Sequence, residues 1–196
     1  SLMQTFFNKT NIYDDLQSVL SISEWLRDIT GELVVDATVL SLGYSEFFRQ
    51  LEEFELSRAG QRTRTINIQA KSLEVLLPAS LIDVEQCVHI LMSELFGSER
   101  PLPYVALLET KGKGRYLQIL ISERYYSVEP IVYEDFWKSD RFQNKVTGRL
   151  CKADDPQARK IVQAGDLRKT WTSHFSLKSR IFTADGYARK HSNRKE

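Results

Sequence analysis

The run from Pro103 to Arg124 constrains this chain most, because two apolar segments there meet across a short basic turn. Tyr104-Val-Ala-Leu-Leu-Glu-Thr110 and Arg115-Tyr-Leu-Gln-Ile-Leu-Ile-Ser-Glu-Arg124 are rich in the residues that strands favour. Lys111-Gly-Lys-Gly114 between them supplies the glycines of a tight hairpin. Alternate side chains of a strand share a face, so Leu117, Ile119 and Ile121 point to one side and read as core. Tyr116, Gln118, Leu120 and Ser122 point to the other, the exposed or functional face. If the turn joins directly opposed strands, Thr110 pairs with Arg115 and Glu109 with Tyr116. Glu109, Tyr116 and Gln118 then share one patch, with directly opposed Cβ atoms roughly 5 Å apart.

The flanking sequence supplies layers for this hairpin. Residues 14–29 carry Leu16, Val19, Leu20, Leu26 and Ile29 at helical spacing and stop at Gly31. Residues 32–42 read as a strand. A second helix starts near Ser45, carries Phe47, Phe48, Leu51 and Phe54, and ends before Arg58-Ala-Gly60. Residues 63–70 alternate like a half-buried strand, and the apolar run from Leu73 closes at Pro78. Asp83 with Gln86 resembles a capping box for a helix whose apolar face is Val84, Cys87, Val88, Leu91 and Leu95. His89 falls on the opposite, solvated face. Beyond Tyr133 the chain is polar with scattered aromatics and reads as helical near 158–164 and 167–177. The expected class is α+β. Residues 3–136 form a mostly antiparallel sheet of about five strands with helices on one face, and 137–196 form a basic, mostly helical C-terminal portion.

Composition narrows the function classes. With 42% hydrophobic and 27% charged residues, the chain has an ordinary globular balance. Cys87 and Cys151 form no CxxC pair, which suits reduced cytoplasmic thiols better than a zinc finger or a disulfide scaffold. No apolar run approaches the ~18 residues of a membrane span, so the expectation is a cytoplasmic protein without a membrane partner. Ser1-Leu2 ahead of Met3 reads as a remnant before a native start. The formal net charge of +1 conceals an asymmetry: residues 137–196 hold fifteen Lys/Arg against six Asp/Glu, and residues 1–136 twelve against twenty. A basic third of this kind points to polyanion contact, with a solvated surface as the alternative.

The hairpin also carries a family resemblance. Pro103-Tyr-Val-Ala-Leu-Leu-Glu109, a short turn, and Arg115-Tyr-Leu-Gln-Ile-Leu-Ile-Ser-Glu-Arg124 resemble the MobA/MobL plasmid-mobilisation relaxases of the HUH endonuclease superfamily. Members of that family carry a strand ending in His, a loop, and a His-x-His strand that commonly ends in Ser-Glu-Arg or similar. Leu76-Leu-Pro78 before an amphipathic helix, and Leu167-Arg-Lys-Thr-Trp171 with Leu177 beyond it, resemble flanking family segments. The resemblance covers about residues 70–177. It implies a relaxase/Rep-like palm, and single-stranded or origin DNA and other mobilisation or replication proteins as partners.

On that alignment the three metal-binding histidine positions fall on Glu109, Tyr116 and Gln118. The family holds a divalent ion against the scissile phosphate while a tyrosine attacks, so the departures bear directly on chemistry. A phenol must lose a proton from a reference pKa near 10 before it ligates well, and Glu109 with Gln118 makes a weak oxygen site. No cofactor is expected; Mg²⁺ or Mn²⁺ enters only if catalysis persists. Candidate nucleophiles are Tyr13, Tyr125 and Tyr126, of which the last two equally suit base stacking or packing. Expected DNA contacts are Lys111, Lys113, Arg115 and Arg124 on the hairpin and Arg168 and Lys169 beyond it. Lys111-Gly-Lys-Gly114 lacks the spacing of a phosphate-binding P-loop, and no Gly-x-Ser-x-Gly elbow is present. The favoured expectation is a relaxase-like DNA-binding protein of a mobile element without nicking activity. The alternatives are an active nicking enzyme with a divergent metal site and a non-enzymatic protein-interaction module.

Overall fold

The computed structural model describes residues 12, 14–59 and 68–177. They fall into two compact units. The first takes the chain up to Tyr126 and again from Phe175, and the second is Ser127–His174.

Unit one is built on the hairpin. Strand β4 (Tyr104–Lys111) and strand β5 (Gly114–Ser122) pair antiparallel, with Glu109 opposite Tyr116, Thr110 opposite Arg115 and Lys111 opposite Gly114. The register expected from the turn is the register found. Gly112 has φ of 58°, which an L side chain adopts only under strain, and it lets two residues close the turn. Three further strands, β1 (Gln17–Val19), β2 (Glu32–Ala37) and β3 (Ala70–Leu77), complete a sheet of order β1-β3-β5-β4-β2. Every neighbouring pair in it runs antiparallel.

Helices cover both faces of this sheet, which corrects the expectation of helices on one face. Helix α1 (Ile22–Asp28) starts where the Ser21 hydroxyl accepts from the Glu24 amide, and α2 is Gly43–Ala59. Helix α3 (Val84–Phe96) starts where the Asp83 carboxylate accepts from the Gln86 amide at 3.0 Å, as its capping sequence indicates. Leu73, Leu117, Ile119 and Ile121 pack with Cys87, Val88, Leu91 and Leu95 of α3. The opposite face supplies Val105, Leu107 and Leu120 to a second core with Ile22, Phe47, Phe48, Leu51 and Phe175. The reason is in the hairpin itself. Val105, Leu107 and Leu120 make its strands nearly continuous apolar runs, and a sheet so composed must be covered twice. Fully burying each such side chain is worth about 1.5–3 kcal/mol.

Unit two is made of strands, where the basic C-terminal portion was expected to be mostly helical. It comprises most of β6 (Tyr126–Phe136) and β10 (Leu167–Phe175), which pair with each other, and a small sheet of order β8-β7-β9. The latter contains β7 (Arg141–Asn144), β8 (Leu150–Cys151) and β9 (Ala158–Val162). The two stretches read as helical are β9 and β10. Ile161-Val162 and Thr170-Trp-Thr172 are β-branched and aromatic clusters that favour pleated pairing, and cross-strand partners outweighed the scattered helical spacing. The strand expected over 63–70 falls largely outside the described residues, as does the segment after Leu177.

One close approach gives a test of this packing. A Cβ on Gly31 would lie 2.8 Å from the Leu108 carbonyl oxygen of β4. Gly31→Ala must therefore push β2 away from β4, and a loss of about 1–3 kcal/mol is expected. Urea denaturation reads it as a lowered midpoint at unchanged slope.

Candidate functional site

On the α1/α2 face of the sheet, the end nearest the hairpin turn is polar instead of apolar. Register places Glu74 of β3 beside Gln118 of β5, and Glu109 of β4 beside Tyr116. Glu109 and Gln118 are each only 3% exposed. The Gln118 amide nitrogen donates to Glu74 Oε2 at 2.6 Å and to Glu109 Oε1 at 3.4 Å. The Thr30 backbone amide, just past α1, donates to Glu109 Oε2 at 2.9 Å. Lys111 closes the set: its ammonium is 3.0 Å from Glu109 Oε1 and 3.5 Å from Glu74 Oε2, and 5.5 Å from the centre of the Tyr116 ring.

The electrostatics follow from that geometry. Burial raises the Glu109 carboxyl, but the Lys111 ammonium and the Thr30 amide outweigh it and hold Glu109 below the usual glutamate range. Glu109 in turn pushes the Lys111 ammonium upward. Both are charged at neutral pH. The polar patch anticipated from alternation is thus real, and Glu109, Tyr116 and Gln118 do meet on it. Each of the three is engaged by a partner within the patch. Glu109 already faces an ammonium, Gln118 turns its amide nitrogen toward the carboxylates, and Tyr116 offers its ring to Lys111. Among the described residues no group of three or more His, Cys, Asp or Glu side chains could hold a metal.

The expected DNA contacts separate into different roles. Lys113 is exposed at the tip of the turn, and Lys111 is half exposed at the rim of the polar patch. Arg115 donates through Nη2 to the Pro78 and Leu81 carbonyls at 3.1 and 2.6 Å, so much of it anchors the chain between β3 and α3. Arg124 was expected on a DNA face and lies instead in the interior, 6% exposed. It pairs with Glu55 of α2, donates to the Ser176 and Leu177 carbonyls at 2.7 Å, and lies over Phe54 at 4.8 Å. Arg168 and Lys169 are exposed on β10 in unit two, over the Trp137 and Trp171 rings respectively.

None of the tyrosines expected as nucleophiles reaches the polar patch among the described residues. Tyr125 and Tyr126 follow the far end of β5, and Gln118 to Ser122 alone spans roughly 13 Å of strand. The Tyr125 hydroxyl donates to the Arg100 carbonyl at 2.8 Å under the Arg100 guanidinium. Tyr126 packs edge-on against Phe47 and Phe175. Tyr13 lies outside the described residues.

Sequence reasoning missed two groups. Glu74 joins the patch only through the long-range pairing of β3 with β5. Its local sequence carries no signal of that. At the other end of the sheet, Glu123 and Lys71 are buried next to the Glu55–Arg124 pair, with Lys71 Nζ 3.9 Å from Glu123 Oε1 and 2.8 Å from the Ser18 hydroxyl. Glu123 Oε1 has no hydrogen-bond partner. Burial pushes the Glu123 carboxyl up to about 7, helped by the Glu55 carboxylate and opposed by Lys71 and Arg124. No protein-family model, curated protein or solved structure matches the chain.

These interior charges give two stability tests. Glu123 holds its proton more tightly folded than unfolded, so its contribution to native stability falls as pH rises from about 4.5 toward 7 and is level above that. Glu123→Gln is expected to gain about 1–3 kcal/mol over wild type at pH 8 and nothing near pH 4, read from urea midpoints. Arg124→Met leaves Glu55 buried without this guanidinium, and a loss of about 3–5 kcal/mol is expected in the same measurement.

Proposed function

We propose that this chain is a relaxase-like DNA-binding protein of a mobile genetic element that no longer nicks DNA. The family reading rests on the hairpin and flanking motifs in the sequence. A five-stranded antiparallel sheet with the hairpin at its centre is compatible with it. The observation that carries the loss of nicking is Lys111. A nicking site of this class needs a divalent ion with open coordination to draw charge from the scissile phosphate. Here the corresponding face holds a tethered monovalent ammonium, fixed by Glu109 and Glu74. An ammonium attracts a phosphate as a point charge but supplies no coordination sites.

The polar patch also lacks a nearby tyrosine hydroxyl to act as nucleophile among the described residues other than Tyr116, whose ring underlies Lys111. Binding without cleavage is the function these groups suit. In unit one Lys113 at the turn tip and Lys111 at the rim, and separately in unit two Arg168 and Lys169, are exposed cations that suit phosphate contact.

Anisotropy of a labelled single-stranded oligonucleotide tests this. Binding is expected at low salt, with affinity falling steeply as salt rises, and Lys113→Glu weakening it about three- to tenfold. Incubation with Mg²⁺ or Mn²⁺ is expected to leave the strand intact. Absence of binding at low salt removes the DNA reading, and metal-dependent cleavage removes the loss of nicking.

A further inference from the structure

Unit two carries aromatic rings and cations arranged in a way that neither the hairpin nor the polar patch explains. Strands β6 and β10 run antiparallel, because His174 Nδ1 donates to the Ser127 carbonyl at one end (2.9 Å) and the Trp137 amide donates to the Asp166 carbonyl at the other (2.9 Å). Along β6 the odd-numbered residues from Ile131 to Asp135 are the half-buried ones, which sets Tyr133 and Asp135 on one face with Trp137 just beyond. Tyr133 stacks on Trp171 of β10, centroids 5.7 Å apart and planes 23° apart. The Arg141 and Arg168 guanidinium carbons lie 4.9 and 5.0 Å from the centre of the Trp137 ring, and the Lys169 ammonium 5.2 Å from that of Trp171.

Resting on the DNA-binding reading above, we infer that this β6–β10 surface is a docking site for single-stranded DNA, with bases stacking against the guanidinium planes that Trp137 carries and phosphates meeting the edge donors of Arg141 and Arg168 and the Lys169 ammonium. A guanidinium laid on an indole keeps its N–H donors at the edge, where phosphate oxygens reach them, and the ring fixes its position. The aromatic groups favour a single strand because a duplex hides the faces of its bases. Charge argues the same way. Residues 127–174 hold nine Lys/Arg against seven Asp/Glu, a net of +2, too little for phosphate neutralisation alone to carry affinity. Stacking supplies the remainder. Among the described residues Arg141 and Lys169 have no acidic partner within ion-pair distance, and Arg168 is 3.7 Å from Asp135. Asp135 therefore competes with an incoming phosphate.

The test titrates the full chain with an oligothymidylate and with a duplex of equal length at low salt, following anisotropy and tryptophan fluorescence together. Expected are quenching by the single strand, weaker binding of the duplex, and about tenfold weaker single-strand binding for the double variant Arg141→Gln, Arg168→Gln. Trp171→Leu is expected to lose part of the quenching, and Asp135→Asn to tighten binding about two- to threefold. Because Arg141 and Arg168 are exposed, their variant decides the matter even if Trp171→Leu disturbs the strand pair. DNA binding that the arginine variant leaves unchanged overturns this surface while the DNA-binding function stands. Equal binding of duplex and single strand without quenching, or the same quenching by polyglutamate, also overturns it. No DNA binding by the wild-type chain overturns both.

Discussion

Burial of the β4–β5 hairpin on both faces is the constraint on which unit one depends. Leu117, Ile119 and Ile121 require α3 on one side, and Val105, Leu107 and Leu120 require α1 and α2 on the other. A hairpin wrapped in this way cannot slip by one residue, since a slip exchanges the two faces and sends Glu109 and Gln118 to where Leu108 and Leu117 pack. The register fixes more than packing. It decides that Glu109 and Gln118 arrive together at the turn end, where Thr30 and Lys111 can satisfy them.

That end of the sheet is a solved electrostatic problem. Two carboxylates from different strands, one of them buried, would repel each other and resist desolvation. The Gln118 amide bridges them and the Lys111 ammonium lies against both and offsets one of the two charges, so the carboxylates stay ionised side by side. The opposite end uses the same device less completely: Arg124 satisfies Glu55, whereas Glu123 keeps one oxygen without a hydrogen bond and faces Lys71 only at 3.9 Å. The two ends differ because Glu109 has a backbone amide aimed at it and Glu123 Oε1 has none.

Local pattern made the hairpin, its register, the capped helix α3 and the meeting of Glu109, Tyr116 and Gln118 legible in the sequence. Each rests on neighbours within about twenty residues. What the pattern missed depends on distant pairing. Glu74 enters the patch through β3, Glu55 reaches Arg124 from α2, and Leu120 becomes core only because α1 and α2 return over it. Arg124 shows the hazard most clearly: a basic residue closing an apolar strand looks solvent-exposed in one dimension and is an interior anchor in three. The helical reading of β9 and β10 failed for a related reason, since isolated apolar residues at helical spacing say nothing about the strands that will pair with them.

The charge asymmetry changes meaning once it is set on the two units. Of the excess in residues 137–196, nine Lys/Arg against four Asp/Glu lie in 137–174 and six against two in 178–196. Glu129, Glu134 and Asp135 of β6 then join the same unit and reduce its net charge to +2. A uniformly basic domain would hold nucleic acid by counterion release alone and would scarcely distinguish single from double strands. Under the docking proposed for it, a nearly neutral unit that mounts its arginines on tryptophans would draw on shape and stacking as well. Selectivity for a single strand, more than raw affinity, is what the proposed docking would gain from such an arrangement of charge.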